Sequence, residues 1–206
     1  MNEKFSKIEK KDLEIISTIW KTSLPNDFFS ILGHSFITKV YFEIFFNLDK
    51  KLGLKLTQGD KIIGFVLYGR FDKLVEKILK ENFLIFFYHL ITSIFINYKA
   101  LFIIINVVTF TFLIRNFKYL NTNKTELLTI AVHPNLHGKG FGTKLLNKSI
   151  SIIENIKFSD EIYVKTKLKT PKFYQNCDKK MIFFDHFFGS AECRIASALE
   201  RYSPRY

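Results

Sequence analysis

Residues 127–146 combine the residue types that bind a diphosphate. They read LLTIAVHPNLHGKGFGTKLL, an apolar run followed by a glycine-rich loop and then by helix-forming residues. The first N–H groups of a helix have no partners within the helix and carry partial positive charge. Glycines let the backbone approach an anion closely and adopt positive φ. The order of strand, loop and helix therefore predicts a diphosphate site, to which Lys139 and Lys144 add long-range attraction.

The spacing of the glycines distinguishes this loop from two other phosphate-binding loops. A P-loop requires Ser or Thr directly after its Gly-Lys pair, whereas Gly140 follows Lys139 here. A dinucleotide fingerprint lies on the first strand of its βαβ unit, and an acidic residue follows about 20 residues later. Gly138, Gly140 and Gly142 do not have the spacing of that fingerprint. A loop with a purely structural role is the alternative.

The stretch from Val132 to Gly142 resembles the CoA-binding motif of the GNAT N-acetyltransferase superfamily, because a Val-x-Pro lead-in precedes alternating glycines. The family pattern is Arg or Gln, two residues, Gly, one residue, then Gly or Ala. Gly140 and Gly142 match it, and His137 stands at the place of the Arg or Gln. The resemblance implies that acetyl-CoA, without a metal, is bound by Ile130, Ala131, Val132, His137, Gly138, Lys139, Gly140, Phe141, Gly142 and Thr143.

Two further stretches resemble the same family. Residues 164–177 resemble a later strand and helix, where the family pattern has Phe-Tyr, a few residues and then Gly-Phe. Tyr174 matches the tyrosine, whereas Asp-Lys at 178–179 replaces Gly-Phe. Residues 24–41 are similar to a subset met among surface-glycan and small-molecule acyltransferases, which also carries a hydrophobic helical insertion before the CoA strand. The resemblance covers most of the chain, but residues 71–119 only loosely.

The resemblance implies direct attack of a substrate amine on the acetyl thioester, without a covalent enzyme intermediate. A backbone N–H on the CoA strand should meet the thioester oxygen as it gains negative charge, and Val132 is the candidate. Tyr174 matches the family's general acid, since a phenol with a pKa of about 10 is protonated at neutral pH. Glu126 is the candidate base, directly or through water, and His133 is the second candidate. The alternatives are that Tyr174 packs its ring in the core, that Glu126 is solvated at the end of its strand and that His133 lies in a surface turn.

The periodicity of the apolar residues predicts the elements that position this site. The first helix is predicted to turn Leu13, Ile15, Ile16 and Ile19 toward the core. Strands are predicted at 5–8, 52–57, 62–69, 126–132 and 161–168, with two more within 181–202, and helices at 12–21, 36–48, 72–80, 141–156 and 170–176. With the resemblance, we expect an α/β (α+β) chain with the GNAT fold, a mixed and mostly antiparallel sheet flanked by helices. The length suits a single domain over 1–206, with an apolar helical insertion at about 71–119.

The apolar stretch 83–117 within this insertion leaves several roles open. Lys99 splits it into uncharged runs that fall short of the roughly 20 residues of a membrane span, so spanning helices are not favoured. The stretch is instead a lid over the acceptor, a membrane-facing cap, a dimer contact or an extension of the core. His34 and His89 are candidates to line the acceptor pocket.

The formal net charge of +12 fits an anionic ligand or a membrane surface, and equally a lysine-rich solvated surface. No compact arginine block or RNA-binding motif occurs, so nucleic acid is not an expected partner. Cys177 and Cys193 match no zinc pattern and make no disulfide framework, which favours a reducing cytoplasm, with membrane association left open. Residues 1–12 are charged and lack the apolar core of a secretory signal.

These features predict an N-acetyltransferase that moves an acetyl group from acetyl-CoA to the primary amine of a small molecule. An amino sugar, nucleotide-linked or part of a glycan precursor, or another small amine is the expected acceptor. O-acylation stays open, because an alcohol can use the same site. The alternative is a non-catalytic CoA-binding or membrane-associated module of the same fold, and a homodimer is compatible with both.

Overall fold

The computed structural model of the protein describes residues 3–96, Leu101, Ile105, 125–156, 162–166 and 181–185. These residues form a six-stranded sheet in which the strands lie side by side in chain order. The strands are β1 Glu3–Lys7, β2 Lys51–Gln58, β3 Lys61–Gly69, β4 Thr125–Val132, β5 Ile162–Thr166 and β6 Met181–Asp185. β1 to β4 pair antiparallel, whereas β5 pairs parallel with β4 and with β6. The expected mixed, mostly antiparallel sheet is therefore confirmed.

The described helices pack on both faces of this sheet. They are α1 Leu13–Ser23, α2 Phe28–Leu32, α3 His34–Phe36, α4 Phe42–Phe46, α5 Phe71–Glu81, α6 Phe83–Ile96 and α7 Phe141–Asn155. The predicted helices 12–21, 72–80 and 141–156 and the five individually predicted strands are confirmed to within two residues at each end. Of the two strands predicted within 181–202, β6 is described. The helix predicted at 170–176 lies outside the described residues.

The helix expected over 36–48 is confirmed to within two residues at each end, since the chain is helical from His34 to Phe46, with a π-helical turn at Ile37–Tyr41 between α3 and α4. The Thr38 hydroxyl donates a hydrogen bond of 2.8 Å to the His34 carbonyl oxygen, which satisfies one acceptor in the wider π-helical turn. A different prediction, for α1, is wrong. Ile15 was expected in the core but is 50% exposed, because it lies on the outer side of α1 while Ile16 faces the sheet.

The apolar residues form two clusters, one on each face of the sheet. The first lies between the sheet and α1 to α5, with Trp20, Phe36 and Phe65 fully buried. The second lies under α7, where Leu145 and Leu146 pack on residues of β2 to β5. Because side chains alternate along a strand, neighbours on β4 contribute to different clusters. Ala131 belongs to the first cluster and Val132 to the second.

β4 changes its pairing partners halfway along its length. Thr129 pairs with Leu67 and Leu127 with Tyr68, so Leu128 forms a β-bulge between them. On its other side, β4 pairs with β5 only from Thr125 to Leu127. β5 continues to Thr166 in contact with β6 alone. The two parallel strands therefore diverge after Leu127, and among the described residues no strand covers this edge of β4 up to Val132.

α5 and α6 belong to the apolar insertion and meet at a bend of 95°. Within the described residues, no helix by itself has the length and apolar character needed to cross a membrane, and only the bent α5–α6 pair meets that criterion together. α6 packs on α2 through its residues Phe86, His89 and Ser93.

Candidate active site

The uncovered edge of β4 presents backbone groups to the opening beside β5. The His133 N–H donates to the Ile63 carbonyl at 2.8 Å, which makes these two residues a hydrogen-bonded pair of the antiparallel ladder. In such a ladder, hydrogen-bonded and non-hydrogen-bonded pairs alternate, so the backbone groups of Val132 and Ile130 point away from β3. The Val132 carbonyl accordingly accepts bonds from elsewhere, including one from the Ser23 hydroxyl at 2.8 Å.

The loop after β4 delivers a helix N-terminus to the same place. Gly138 and Gly140 have φ of +77° and +79°, conformations that favour glycine. The first i→i−4 bond of α7 runs from the Lys144 N–H to the Gly140 carbonyl, at 3.0 Å. The N–H groups of Phe141, Gly142 and Thr143 therefore precede the helical ladder. These donors lie at the positive end of the helix dipole, so the arrangement is able to bind an anion, and the predicted diphosphate site at this place stays a prediction.

His137, at the place of the family's Arg or Gln, ties the loop back to the strand. Its Nε2 lies 2.7 Å from the Val132 carbonyl oxygen and donates to it, which requires the tautomer with hydrogen on Nε2. This ring nitrogen is thus engaged within the protein. The contribution of His137 to an anion site therefore comes from fixing the loop and from its backbone.

The two lysines of the loop differ in their surroundings. Lys144 pairs with Glu3 at 2.7 Å, and its Nζ lies 5.4 Å from the centre of the Phe141 ring. Lys139 is exposed, and the described part of the chain gives it no ion pair. Lys139 is therefore the lysine whose charge is uncompensated beside the loop. Phe141 is 8% exposed and anchors the first turn of α7 in the second cluster.

The structure separates the candidate acid and base residues. Tyr174 lies outside the described residues. Glu126 is half-buried near the start of β4, on the face of the sheet that carries Ala131. It lies six residues before Val132, roughly 20 Å at the rise of a strand. His133 is exposed, and its Nδ1 accepts a 3.4 Å bond from the Asn135 N–H, so its role as base remains a prediction.

A polar cluster joins α1 to the start of α2, and sequence reasoning did not find it. The Asp27 carboxylate accepts bonds from Trp20 Nε1 and from the Phe29 N–H, both at 3.1 Å. Burial raises the pKa of Asp27, although these bonds oppose the shift. Burial also raises the pKa of Tyr41, and the charge of Asp27 acts in the same direction. The available signal was Asp27 itself, since an aspartate directly before an apolar run is a favoured N-cap.

A cleft of about 380 Å³ opens between α1, α2 and α6. Its polar lining includes Lys21, Ser30, His34, Ser35, His89 and Thr92. The structure therefore brings both predicted histidines to one cleft. Partial burial lowers the pKa of His89, while its bond to the Leu32 carbonyl opposes the shift. The Ser30 hydroxyl is buried and, among the described residues, has no hydrogen-bond partner.

No group of three or more His, Cys, Asp or Glu side chains in the described ranges is placed to hold a metal ion.

Comparison with known families shows to which of them the chain belongs. The model of the acetyltransferase (GNAT) family matches residues 19–178. The chain belongs to the GNAT acetyltransferase family. Acetyl transfer is accordingly the activity class of this GNAT protein, and the resemblance seen in the sequence is confirmed.

Several solved GNAT structures are similar to this chain at low sequence identity. The ribosomal-protein-S18-alanine N-acetyltransferase of Escherichia coli is 14% identical, with 84% of this chain and 75% of that chain covered and a TM-score of 0.49. The PaiA N-acetyltransferase of Thermoplasma acidophilum, in complex with coenzyme A, is 15% identical, with coverage of 85% and 86% and a TM-score of 0.46. A GNAT acetyltransferase of Brucella melitensis, in complex with acetyl-CoA, is 11% identical, with coverage of 84% and 81% and a TM-score of 0.47. A search of curated protein sequences finds no match.

Proposed function

We propose that this protein is an acetyl-CoA-dependent N-acetyltransferase whose acceptor is an amino sugar. The divergence of β4 from β5 after Leu127 carries the proposal, because it opens a strand edge that leads directly into the glycine-rich loop. A cofactor with an extended amide-containing arm and a diphosphate fits both features at once. The arm pairs with the open edge of β4, and the diphosphate binds the N-terminus of α7.

The backbone donors of β4 supply electrostatic stabilisation for the reaction. The amine nitrogen attacks the thioester carbonyl carbon, whose oxygen gains negative charge in the tetrahedral intermediate. The Val132 N–H is the donor proposed for that oxygen, and the Ile130 N–H faces the same opening. Collapse of the intermediate breaks the carbon–sulfur bond, and Tyr174 donates its phenolic proton to the departing thiolate.

The position of Glu126 restricts how it acts as a base. Since Val132 lies roughly 20 Å away along the strand, an amine proton reaches Glu126 only through ordered water. A thioester held at the Ile130 N–H shortens this path to about 13 Å.

The cleft supports a polar acceptor. Hydroxyl and imidazole groups of His34, Ser35 and His89 line it, and such groups bind the hydroxyls of a sugar. Lys21 adds a positive charge that suits a phosphate-linked sugar. Lys21 and Pro25, both in the lining, flank Ser23, whose hydroxyl bonds the Val132 carbonyl. An acceptor in the cleft therefore lies next to the segment that contacts the end of β4.

The release of CoA thiol tests the proposal. The protein is incubated with acetyl-CoA and either amino-sugar nucleotides or other small amines, and free thiol is followed over time. We expect turnover with the amino sugars, and a large loss of kcat in Tyr174→Phe but not in the control Tyr88→Phe. Turnover only with other amines contradicts the acceptor, and an undiminished Tyr174→Phe variant contradicts the acid. Binding of CoA without thiol release would support the non-catalytic alternative.

A bulky substitution tests the cleft as the acceptor site. Ser35 is an exposed lining residue, and Lys39 is exposed nearby on the π-helical turn but does not line the cleft. We expect Ser35→Trp to raise the KM of the acceptor and to leave the Kd of acetyl-CoA unchanged, whereas Lys39→Trp alters neither. An unchanged acceptor KM in Ser35→Trp places the acceptor elsewhere.

A further inference from the structure

α6 exposes an apolar face to solvent. Its 14 residues, FLIFFYHLITSIFI, include no Lys, Arg, Asp or Glu. The exposed fractions are 80% for Leu84, 64% for Tyr88, 38% for Ile91, 86% for Phe95 and 86% for Ile96. The first four residues follow one another at intervals of four, three and four positions, so they form one stripe along the helix. Soluble proteins rarely expose a contiguous apolar surface of this kind without a function for it.

The polar groups of α6 face the protein instead. Ser93 is 6% exposed and donates to the Ile31 carbonyl at 2.8 Å. The His89 ring, one turn earlier, meets the Phe36 ring edge-on with centres 5.5 Å apart. Phe86 packs against Phe36 with ring centres 6.0 Å apart. These contacts fix the rotation of α6, which would have to give up the Ser93 bond and the ring contacts to bury its outer stripe.

The composition around α6 favours a lipid surface over a protein partner. Helix pairs in water usually flank their apolar seam with charged residues that set the pairing, and α6 has none on either side. Residues 82–125 contain Lys99, Arg115, Lys118 and Lys124 but no acidic residue. A segment that combines apolar residues with basic ones and has no acidic residue suits a bilayer whose surface is anionic. The net charge of +12 acts in the same direction.

The length of α6 indicates how it would meet a bilayer. Fourteen residues of helix extend for about 21 Å, less than the hydrocarbon thickness of a bilayer. A helix that is apolar on one side and tied to a folded domain on the other lies in the plane of the interface. α5 turns away at 95° and carries Glu76 between Lys73 and Lys80, with ion pairs of 2.8 and 2.6 Å. α5 is thus suited to remain in water.

We infer that the outer face of α6 docks this protein on an anionic lipid bilayer. The docked helix inserts Leu84, Ile91 and Phe95 among the lipid chains, while its inner face stays bound to α2. The cleft that α6 shares with α1 and α2 then lies beside the membrane surface. This inference does not depend on acetyl transfer, and vesicle binding can be measured without any substrate.

Co-sedimentation with vesicles tests the inference. The full chain is mixed at low salt with vesicles of phosphatidylglycerol and phosphatidylcholine, or of phosphatidylcholine alone. The variant Leu84→Asp/Phe95→Asp is compared with the control Ile15→Asp. Ile15 is likewise an exposed apolar residue, 50% accessible, but it lies on α1. Circular dichroism melts show that each variant folds, and acetyl-CoA binding shows that the site on the other side of the domain is intact.

We expect the wild type and Ile15→Asp to sediment with the anionic vesicles and to bind neutral vesicles less. The double variant should lose more than about tenfold in partition coefficient, since each aspartate places a charge in the apolar layer. The inference is overturned if the wild type stays in the supernatant with every vesicle. It is equally overturned if the folded double variant binds vesicles as the wild type does. A molecular mass that rises with protein concentration, together with no vesicle binding, would identify the exposed face as a dimer contact and would also overturn the inference.

Discussion

The Nε2 atom of His137 lies 2.7 Å from the carbonyl oxygen of Val132, so the glycine-rich loop is hydrogen-bonded to the strand from which it departs. The Ser23 hydroxyl binds the same oxygen at 2.8 Å from the opposite element, α1. One strand-end carbonyl thus joins the loop that we propose binds the cofactor to the helix that borders the cleft. The relative positions of these two regions depend on it.

Replacing His137 by alanine should weaken cofactor binding without unfolding the protein. The variant loses the bond to Val132, and a bond of this kind contributes about 1 kcal/mol, which corresponds to roughly a fivefold higher Kd for acetyl-CoA. The matched control is His133→Ala, four residues earlier in the same exposed turn. Calorimetric titration of both variants measures the effect. Equal Kd values for His137→Ala and the wild type would show that the loop holds its shape without the imidazole.

Gly140→Ala should weaken acetyl-CoA binding through the backbone. At φ +79° a Cβ atom meets no neighbour within 4 Å, so the cost is conformational and not steric. A residue with a Cβ loses about 1–2 kcal/mol in this region, and relaxation of the loop moves the first N–H groups of α7. We expect the Kd to rise about tenfold or more.

Gly59→Ala is the matched control for that variant. Gly59 has φ +60° and also an empty surrounding, but it lies in the turn between β2 and β3. Both variants should lower the Tm by a similar amount, and only Gly140→Ala should change the Kd. Similar Kd values for the two variants would contradict a role for the loop geometry in cofactor binding.

Breaking the buried pair between Lys55 and Asp12 should destabilise the fold. The two residues are 8% and 5% exposed, and they join β2 to the turn before α1. Lys55→Met leaves a buried carboxylate without its cation, which costs about 3–5 kcal/mol in the free energy of unfolding. Lys55→Met/Asp12→Asn should recover most of this loss, because asparagine can still accept the bond from the Glu9 N–H. Denaturant titration measures both, and equal losses in the single and double variants would rule out this explanation.

The titration of Asp27 should make stability depend on pH. Because burial raises its pKa in the folded state, the stabilisation from its protonated form is complete below the ordinary carboxyl pKa. That stabilisation is lost as pH rises through the folded-state pKa. The stability of the wild type relative to Asp27→Asn should therefore fall as the pH is raised above the ordinary carboxyl pKa of about 4. The exposed Asp49→Asn serves as control, and a constant difference over this rise in pH contradicts the prediction.

The fluorescence of Trp20 offers a second readout of Asp27. The chain has a single tryptophan, and its Nε1 donates to the Asp27 carboxylate at 3.1 Å. A change of emission that follows the titration of Asp27 is expected in the wild type. The change should be absent in Asp27→Asn, since the amide does not ionise there.

The sequence predicted the parts of the site that depend on local backbone rules. Positive φ at Gly138 and Gly140 and the start of α7 at Phe141 follow from glycine spacing and helix periodicity. The strand before the loop was predictable for the same reason, since its apolar run ends at Pro134. These features depend on residues close together in the chain.

Contacts between distant residues were not predictable in this way. The bond from Ser23 to Val132 joins residues 109 positions apart, and nothing in either residue type specifies it. The β-bulge at Leu128 depends on the pairing with β3 and not on the local sequence. The helix over 36–48 was predictable from its apolar spacing, but the π-helical turn at Ile37–Tyr41 within it was not, since the packing of Tyr41 on Trp20, with ring centres 4.8 Å apart, occurs only in the fold.

Calorimetric titration of acetyl-CoA into the purified chain tests the central claim most directly. If the open edge of β4 and the N-terminus of α7 form the cofactor site, one acetyl-CoA binds per chain with a Kd between about 1 μM and 1 mM. The binding should weaken in Gly140→Ala and remain unchanged in Gly59→Ala. Absence of binding up to about 1 mM acetyl-CoA, or equal binding in Gly140→Ala and the wild type, would contradict the account.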